Sequence, residues 1–185
     1  QFNGISAEYL HEIEKLLGVQ FSIVRLPNWE HVMEKTRAGE IDILSAAAIT
    51  PSRENYLKFT TPYLDFPAVI ITRRKAIKHT TMAGLEGKQV GVTKGYAVAE
   101  YVKREFPNIT VTEVSSIEEG LNQLSFGGLD AMISINAPSL YYIEKNGHIN
   151  LHVAGNAGYS LKLSIASRKD WPELNSILQK AIDAI

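Results

Sequence analysis

Apolar residues recur along the chain with two periods, one of three to four residues and one of two, and the two kinds of segment alternate. The first period predicts helices, and glycine or proline ends most of them. These helices cover residues 5–17, 29–38, 96–106, 117–126, 138–145 and 171–185. The second period predicts strands over residues 19–26, 41–46, 68–72, 89–92, 109–114, 129–133, 150–153 and 161–166. This alternation is typical of an α/β fold with mainly parallel sheets and helices on both faces.

Residues 41–53 carry the clearest chemical signal. A buried strand leads into three alanines, residues 46–48, whose small side chains let another group approach the backbone. Thr50 then suits the N-cap of a helix, and Pro51 suits its first position. Arg53 falls in the first turn of that predicted helix, where the helix dipole is already positive.

A cation beside helix N-terminal amides forms a site for an anion. Arg53 can donate two parallel hydrogen bonds to a carboxylate, and hydrogen bonds to charged groups contribute roughly 1.5–3 kcal/mol each. The alternative is a surface ion pair with Glu54 or Glu30. The segment alone leaves both interpretations open.

Composition narrows the classes of partner. The chain has 185 residues, a net charge of −1 and no cysteine. A balanced charge gives no field that would draw the chain to nucleic acid or to anionic lipid, and the absence of thiols excludes disulfides, thiolate metal sites and cysteine nucleophiles. The longest aliphatic run, residues 68–71, is far too short to span a membrane.

The sequence gives little support for a catalytic function. The chain has no Gly-x-Ser-x-Gly motif. Its five histidines lack metal-binding spacing, and His148 and His152 flank a turn instead of sharing a helix face. Asp65 and Glu100, the two carboxylates considered as a general acid, suit an exposed surface equally well. The sequence therefore predicts no catalytic residue, no metal and no cofactor.

A short pattern occurs twice. A predicted helix, a glycine turn and an aspartate precede a strand at residues 39–42 and again at residues 127–130. Each half could be a small α/β lobe, and small ligands bind in clefts between lobes. The alternative is that glycine followed by aspartate is a common helix-to-strand turn.

Several ordered motifs extend this picture to a family. They are Gly4–Leu10, Gly39–Asp42, Ile49–Glu54, Phe59–Tyr63, Leu85–Val92, Lys94–Tyr96 and Leu129–Ile133. With them the chain resembles the bacterial extracellular solute-binding proteins of family 3, which include the polar amino-acid-binding proteins. Three further segments resemble the periplasmic sensory domains of membrane-bound, including hybrid, sensor histidine kinases: Tyr63–Pro67, Phe106–Ile109 and Arg168–Leu174.

The resemblance implies a two-lobed, type II periplasmic-binding (Venus-flytrap) fold, each lobe a mostly parallel sheet flanked by helices. Lobe 1 would hold residues 1–73 and 161–185, and lobe 2 residues 74–160, joined by hinge segments near residues 72–74 and 159–161. Family members also carry a strand before the Gly4 region that adds an aromatic residue to the site. This sequence starts after that strand, so we expect either a trimmed chain or an open edge of the lobe 1 sheet.

The resemblance also implies a ligand site in lobe 1. Arg53 matches the arginine that binds a ligand carboxylate, and Ala46 and Ala48 match positions that line the same pocket. Trp29 matches an aromatic residue that packs on the ligand, although a tryptophan at a helix start can instead pack the helix onto the core. Tyr63 is a further candidate for lining the cleft.

In lobe 2 the sequence departs from the amino-acid-binding pattern. Gly95 and Tyr96 form the turn over the ligand, but the Ser or Thr that usually follows the Lys-Gly turn is missing from the segment Lys94–Ala97. The acidic position that receives an α-ammonium is Ile135, followed by the neutral Asn136. A buried ammonium without a carboxylate is costly. A carboxylate or another small anion with an apolar or aromatic body therefore fits better than an α-amino acid, and an empty site is the other option.

Three functions follow from the resemblance. The first is the sensor module of a two-component histidine kinase, periplasmic, attached to the inner membrane through flanking segments, with a dimeric parent kinase as an option. The second is the solute-binding component of an ABC uptake transporter. The third, which the residues favour least, is an enzyme on the same fold. The first two share a small-molecule ligand, a carboxylate or an amino acid, and exclude nucleic acid.

Overall fold

The computed structural model describes residues 4–185. The chain divides into two units. Unit 1 comprises the chain up to Asp65 together with Lys162–Ile185, and unit 2 comprises Phe66–Leu161. Two long strands carry the chain from one unit into the other, β3 (Leu64–Arg73) and β7 (Leu151–Arg168). The hinge positions and lobe boundaries implied by the resemblance stay predictions, and the strand expected before Gly4 lies outside the described residues.

Unit 1 combines three helices with two short strands and the end of β7. Its elements are α1 (Ile5–Leu17), α2 (Trp29–Arg37), β1 (Ile43–Ala48), β2 (Leu57–Phe59) and α6 (Pro172–Asp183). Both β1 and β2 pair antiparallel with β7. The described pairs of this unit thus differ from the mostly parallel sheet expected for each lobe, because the chain re-enters the unit on β7 and runs against the strands that it meets.

Helix α1 forms where its sequence pattern predicts. Ala7, Leu10 and Ile13 are buried on one face, as residues three apart along a helix must be. Gly18 ends the helix in the left-handed conformation (φ 66°), and its amide donates to the carbonyl oxygen of Glu14. The buried face packs against β7 and α6 in a core formed by Leu10, Ile13, Ile165, Leu178 and Ala181.

The strand predicted over residues 19–26 is wrong, because the segment has no regular secondary structure. Its apolar residues Val19, Ile23 and Val24 are 48%, 48% and 58% exposed, while Phe21 packs against the core of unit 1. Alternation of polar and apolar residues defines a face, but a strand also needs a neighbour with which to exchange backbone hydrogen bonds. Within residues 4–185, no strand pairs with this segment.

Unit 2 is a sheet with helices on both faces. Its elements are β4 (Gln89–Thr93), α3 (Ala97–Glu105), β5 (Thr110–Val114), α4 (Ile117–Ser125), β6 (Ala131–Ile135), α5 (Asn136–Lys145) and a 3-10 turn at Ala83–Leu85. Strand β4 pairs parallel with both β5 and β6. Strand β6 pairs antiparallel with β3, which lies between β6 and β7. The parallel pairing brings the carboxyl ends of β4 and β6 to the same edge of the sheet.

Neighbouring residues of the central strands of unit 2 pack into two different cores. Ile70 and Ile133 belong to one cluster, and Ile71 and Met132 belong to the other. Successive side chains of a strand point to opposite faces, so this sheet is covered on both sides. That arrangement explains why the strands are continuously apolar.

Strand β7 is a single strand of 18 residues where the sequence predicts two short ones. Residues 154–160, between the two predicted strands, contain two glycines and an asparagine, which are common in turns. Here Gly155 instead marks a close backbone approach. A Cβ atom at this position would lie 2.1 Å from the carbonyl oxygen of Thr80, and the Thr80 amide donates to Ala154 at 3.0 Å.

Helices of membrane-spanning length and apolarity do not occur in residues 4–185. The same part of the chain brings together no group of three histidine or acidic side chains that could hold a metal ion.

Candidate functional site

Arg53 is a buried cation, with only 3% of its surface exposed. Its Nη1 atom donates to the carbonyl oxygen of Ala48, at the end of β1, across 2.8 Å. Its Cζ atom lies 5.6 Å from the centre of the Trp29 ring, within the range of a cation–π interaction. The guanidinium is therefore fixed in orientation by β1 on one side and by the start of α2 on the other.

The helix predicted to start at Thr50 is wrong. Residues 51–56 form successive turns, in which the Arg53 amide donates to the Thr50 carbonyl oxygen at 3.0 Å and the Leu57 amide to the Arg53 carbonyl oxygen at 2.9 Å. Strand β2 begins at Leu57 and pairs with β7, so the segment cannot extend into a helix. The Thr50 hydroxyl still lies 3.4 Å from the Arg53 amide, close to the capping position that the sequence indicates.

Two hydroxyl groups lie next to Arg53 in sequence. Thr50 is 5% exposed, and its Oγ1 atom lies 3.0 Å from Ser52 Oγ. The sequence pattern assigns Thr50 only a capping role and gives Ser52 none. The structure adds both as neutral hydrogen-bonding groups, one of them 3.4 Å from the Arg53 backbone amide.

Trp29 opens α2, after the Asn28 side chain has capped the helix by accepting from the His31 amide at 3.0 Å. The ring packs against a core cluster that includes Met33 and Leu44. It also stacks with Arg53. The core-packing role, one of the two alternatives that the sequence left open, is thus present, and the packing of Trp29 on a ligand stays a prediction.

The remaining candidates of unit 1 lie in different surroundings. Ala48 is 3% exposed and supplies the carbonyl for Arg53, while Ala46 is half-buried. Tyr63 donates its hydroxyl to the Ser45 carbonyl oxygen at 2.7 Å, and its ring lies 4.6 Å from that of Tyr9. Burial raises the pKa of the Tyr63 hydroxyl. Neither of these contacts of Tyr63 involves Arg53.

In unit 2 the candidates follow the carboxyl ends of β4 and β6, two strands that pair in parallel. Gly95 follows β4 with φ 74°, a conformation suited to glycine. Tyr96 then precedes α3, and its ring packs against both cores of the unit. Burial, and to a lesser degree Tyr142, raises the pKa of the Tyr96 hydroxyl.

Ile135 and Asn136 lie at the end of β6 and the start of α5. The Ile135 side chain is 4% exposed and belongs to a core cluster, and its carbonyl oxygen accepts from the Ser139 hydroxyl at 2.7 Å. The Oδ1 atom of Asn136 is buried and has no hydrogen-bond partner in the part of the chain that the structure describes. The sequence offered no sign of this orphaned acceptor, because it arises only when β6 and α5 are in place.

Each aspartate of the repeated turn accepts a hydrogen bond from a residue of its own unit. Asp42 accepts from Arg168 Nη1 at 3.3 Å, and the same nitrogen donates to the Gly39 carbonyl oxygen at 3.1 Å. Asp130 accepts from the Gln89 amide at 2.9 Å. Hydrogen bonding to Asp170 and, less strongly, to Asp42 raises the pKa of Arg168. The repeated pattern therefore anchors helix-to-strand turns.

Comparisons with known proteins identify the family. The model of the bacterial extracellular solute-binding proteins, family 3, matches residues 1–185. The virulence sensor protein BvgS of Bordetella pertussis is 27% identical over 186 residues, which cover 100% of this chain and 15% of BvgS. ABC transporter arginine-binding protein 1 of Escherichia coli is 27% identical over 146 residues, which cover 77% of this chain and 59% of that protein.

Solved structures identify the fold. The crystal structure of the periplasmic VFT2 domain of Bordetella pertussis BvgS superimposes with a TM-score of 0.88 at 28% identity, over 100% of this chain and 79% of that one. The fold class expected from the resemblance is thereby confirmed. The chain spans only about a seventh of the length of BvgS, at 15%. This chain belongs to the bacterial extracellular solute-binding proteins, family 3, and is a two-lobed, Venus-flytrap binding domain and not an enzyme.

Proposed function

We propose that this chain is the extracytoplasmic ligand-binding module of a membrane-bound sensor histidine kinase and that its ligand is a small carboxylate. The sensor relatives support the first half of the proposal. The buried guanidinium of Arg53 carries the second half. Trp29, Ala46, Ala48 and Arg53 are the proposed binding residues of unit 1, with Tyr63 at its margin.

The chemistry of Arg53 favours a planar anion. Guanidinium presents its donors in a rigid fork that matches a carboxylate, and it stays charged at any physiological pH. A cation held between a carbonyl oxygen and an aromatic face is already oriented, so little rotamer entropy is lost when the anion binds. Desolvation strengthens the charge-assisted hydrogen bonds that result.

The residues of unit 2 favour a ligand without an ammonium group. Gly95, Tyr96, Ile135 and Asn136 are the proposed contacts from this unit, and none of them is acidic. The apolar or aromatic part of the ligand would meet Tyr96 and Trp29. An α-amino acid would leave its ammonium without a counter-ion, which costs several kcal/mol when buried, on the order of what one good ion pair supplies.

We propose that ligand binding signals by raising the population of a closed state of the domain at the expense of an open one. Ligand binds first to unit 1 through Arg53, and the residues of unit 2 then close on it, which favours the closed state by the difference in affinity between the two states. Strands β3 and β7 connect the units and would transmit this change. The parent protein would lie in the inner membrane, with this module in the periplasm and dimerisation of the kinase as a further element.

A thermal-shift screen tests the ligand class. Aliphatic and aromatic carboxylates are compared with their primary amides, which keep the shape and remove the charge. A carboxylate at 100 times its Kd should stabilise the domain by about 2.7 kcal/mol, and its amide should not. Equal shifts with acid and amide, or a shift with amides alone, would contradict the proposal.

A solute-binding component of an ABC uptake transporter is the second candidate, because an arginine-binding transport protein is among the relatives. The two functions differ in where the full-length protein resides. Fractionation of cells that express the complete gene separates them. Retention in the membrane fraction supports the sensor, and release by osmotic shock supports the transport component.

A further inference from the structure

Two buried polar atoms in the described part of unit 2 have no hydrogen-bond partner, His148 Nε2 and Asn136 Oδ1, and only Asn136 directly follows a strand of the parallel part of the sheet. Asn136 Oδ1 is buried and has no hydrogen-bond partner among residues 4–185. Most buried polar atoms in proteins are hydrogen-bonded, and each exception calls for an explanation. Here the orphan is an acceptor, so the group that completes it must be a donor.

The position of Asn136 indicates what that donor belongs to. Asn136 directly follows β6, whose parallel neighbour β4 ends in the turn at Gly95 and Tyr96. Ligands of open α/β sheets bind outside the carboxyl ends of parallel strands. The carbonyl oxygen of Ile135 accepts from the Ser139 hydroxyl, whereas Asn136 Oδ1 is an acceptor at this edge without a partner among residues 4–185.

The charges at this edge oppose an ammonium. Residues 134–138 contain no ionisable side chain, and residues 93–96 contribute the cation Lys94 and the hydroxyl of Tyr96. Burial raises the pKa of that hydroxyl, which keeps it neutral. An amide oxygen accepts a hydrogen bond but cannot neutralise a positive charge, so the donor that fits is itself neutral.

We propose that Asn136 Oδ1 accepts a hydrogen bond from a neutral O–H or N–H group of the ligand, so that the domain selects hydroxy- or amide-bearing carboxylates over α-amino acids. This inference rests on the proposed binding function. It adds the identity of a specificity-determining residue and the chemical class of the second ligand group.

The test uses three probes that differ only at the α-position: 3-phenyllactate (hydroxyl), L-phenylalanine (ammonium) and 3-phenylpropanoate (hydrogen). An aliphatic series of 2-hydroxyisovalerate, L-valine and isovalerate is measured in parallel. Calorimetry on the native domain should give the hydroxy acid about tenfold tighter binding than the unsubstituted acid, as one hydrogen bond to a buried acceptor provides. The amino acid should bind more weakly than either.

Two substitutions identify Asn136 as the cause. Asn136→Leu should abolish the advantage of the hydroxy acid over the unsubstituted acid. Asn136→Asp should reverse the preference in favour of the amino acid, because a carboxylate can pair with the ammonium. Asn108→Asp adds the same charge at an exposed site of the same unit and should change none of the ratios.

Measurements without ligand provide an independent check. Since Oδ1 makes no hydrogen bond within the described chain, Asn136→Leu should melt no lower than the native domain. A clearly lower melting temperature would show a partner within the fold and overturn the inference. Equal responses to all three probes in both series, including no response, would also overturn it. A carboxylate that stabilises the domain more than its amide would still support the proposed function.

Discussion

The guanidinium of Arg53 donates to the carbonyl oxygen of Ala48 across 2.8 Å while 3% of the residue remains exposed. The arginine is thus part of the packed structure of unit 1 as well as a candidate ligand group. Its replacement by alanine would leave a cavity and an unpaired carbonyl, and would lower stability along with binding. Lysine keeps the charge and most of the volume but lacks the fork, so Arg53→Lys separates the two roles.

The Trp29 ring is expected to hold that guanidinium in place. Replacing it in Trp29→Leu removes a cation–π contact worth about 0.5–2 kcal/mol, so carboxylate affinity should fall by roughly two- to thirtyfold. Calorimetry measures this loss. Trp171→Leu, at a tryptophan of unit 1 that is 48% exposed, is the matched control and should bind as the native domain does. Equal loss in both variants would show that Trp29 has no specific role.

Gly155 is expected to tolerate no side chain. Its added Cβ would meet the backbone of Thr80 at 2.1 Å, and backbone cannot yield as a flexible side chain can. Gly155→Ala should therefore lower the free energy of unfolding by about 1–3 kcal/mol, measured by urea denaturation. Gly128→Ala is the control, since its Cβ would approach no atom closer than 3.4 Å. A native-like Gly155→Ala would mean that β7 is not held against Thr80.

The start of α4 should make stability depend on acid pH. Hydrogen bonds from the Ser115 hydroxyl and amide lower the pKa of Glu119 below its ordinary value of 4.5. A carboxyl group with a lowered pKa stabilises the fold fully above the unfolded value, and this contribution disappears as pH falls through the folded value. Glu119→Gln should flatten the stability profile below about pH 4.5, and Ser115→Ala should flatten part of it. An unchanged slope in both variants would contradict this assignment.

The N-cap of the same helix offers a separate test. Ser116 Oγ accepts from the Glu119 amide at 3.1 Å. Ser116→Ala should lower the free energy of unfolding by about 1 kcal/mol, and Ser116→Asp, which keeps a capping acceptor, should restore most of it. Denaturant titration measures both. Loss in the aspartate variant equal to that in alanine would exclude capping as the cause.

Elements governed by local signals could be predicted from the sequence. The bounds of α1 and α4 follow from an apolar stripe, a capping serine or a terminal glycine, and all of these act within a few residues. Elements that depend on pairing could not. Residues 19–26 have a strand pattern without a strand to pair with, whereas β7 continues through a glycine-rich stretch because neighbouring strands support it.

The candidate site also contains features that local sequence predicts and features that depend on distant residues. Arg53 could be identified from its own segment, because the alanines, the threonine and the arginine lie within a few residues of one another. The pairing of Asp42 with Arg168 joins residues 126 positions apart, and no local pattern indicates it. The orphaned acceptor of Asn136 depends on the burial that β6 and α5 create together, so it became visible only in three dimensions.

The most direct test of the account measures carboxylate binding to Arg53→Lys beside Arg37→Lys. Arg37 also stacks on an aromatic ring of unit 1, with its Cζ atom 5.2 Å from the centre of Tyr56, but it is exposed. The control therefore repeats the same substitution and the same kind of ring contact outside the proposed site. Calorimetry uses the acid with the largest thermal shift and its amide. We predict at least about tenfold weaker acid binding in Arg53→Lys and native affinity in Arg37→Lys. Native affinity in Arg53→Lys, or equal losses in both variants, would contradict the central claim.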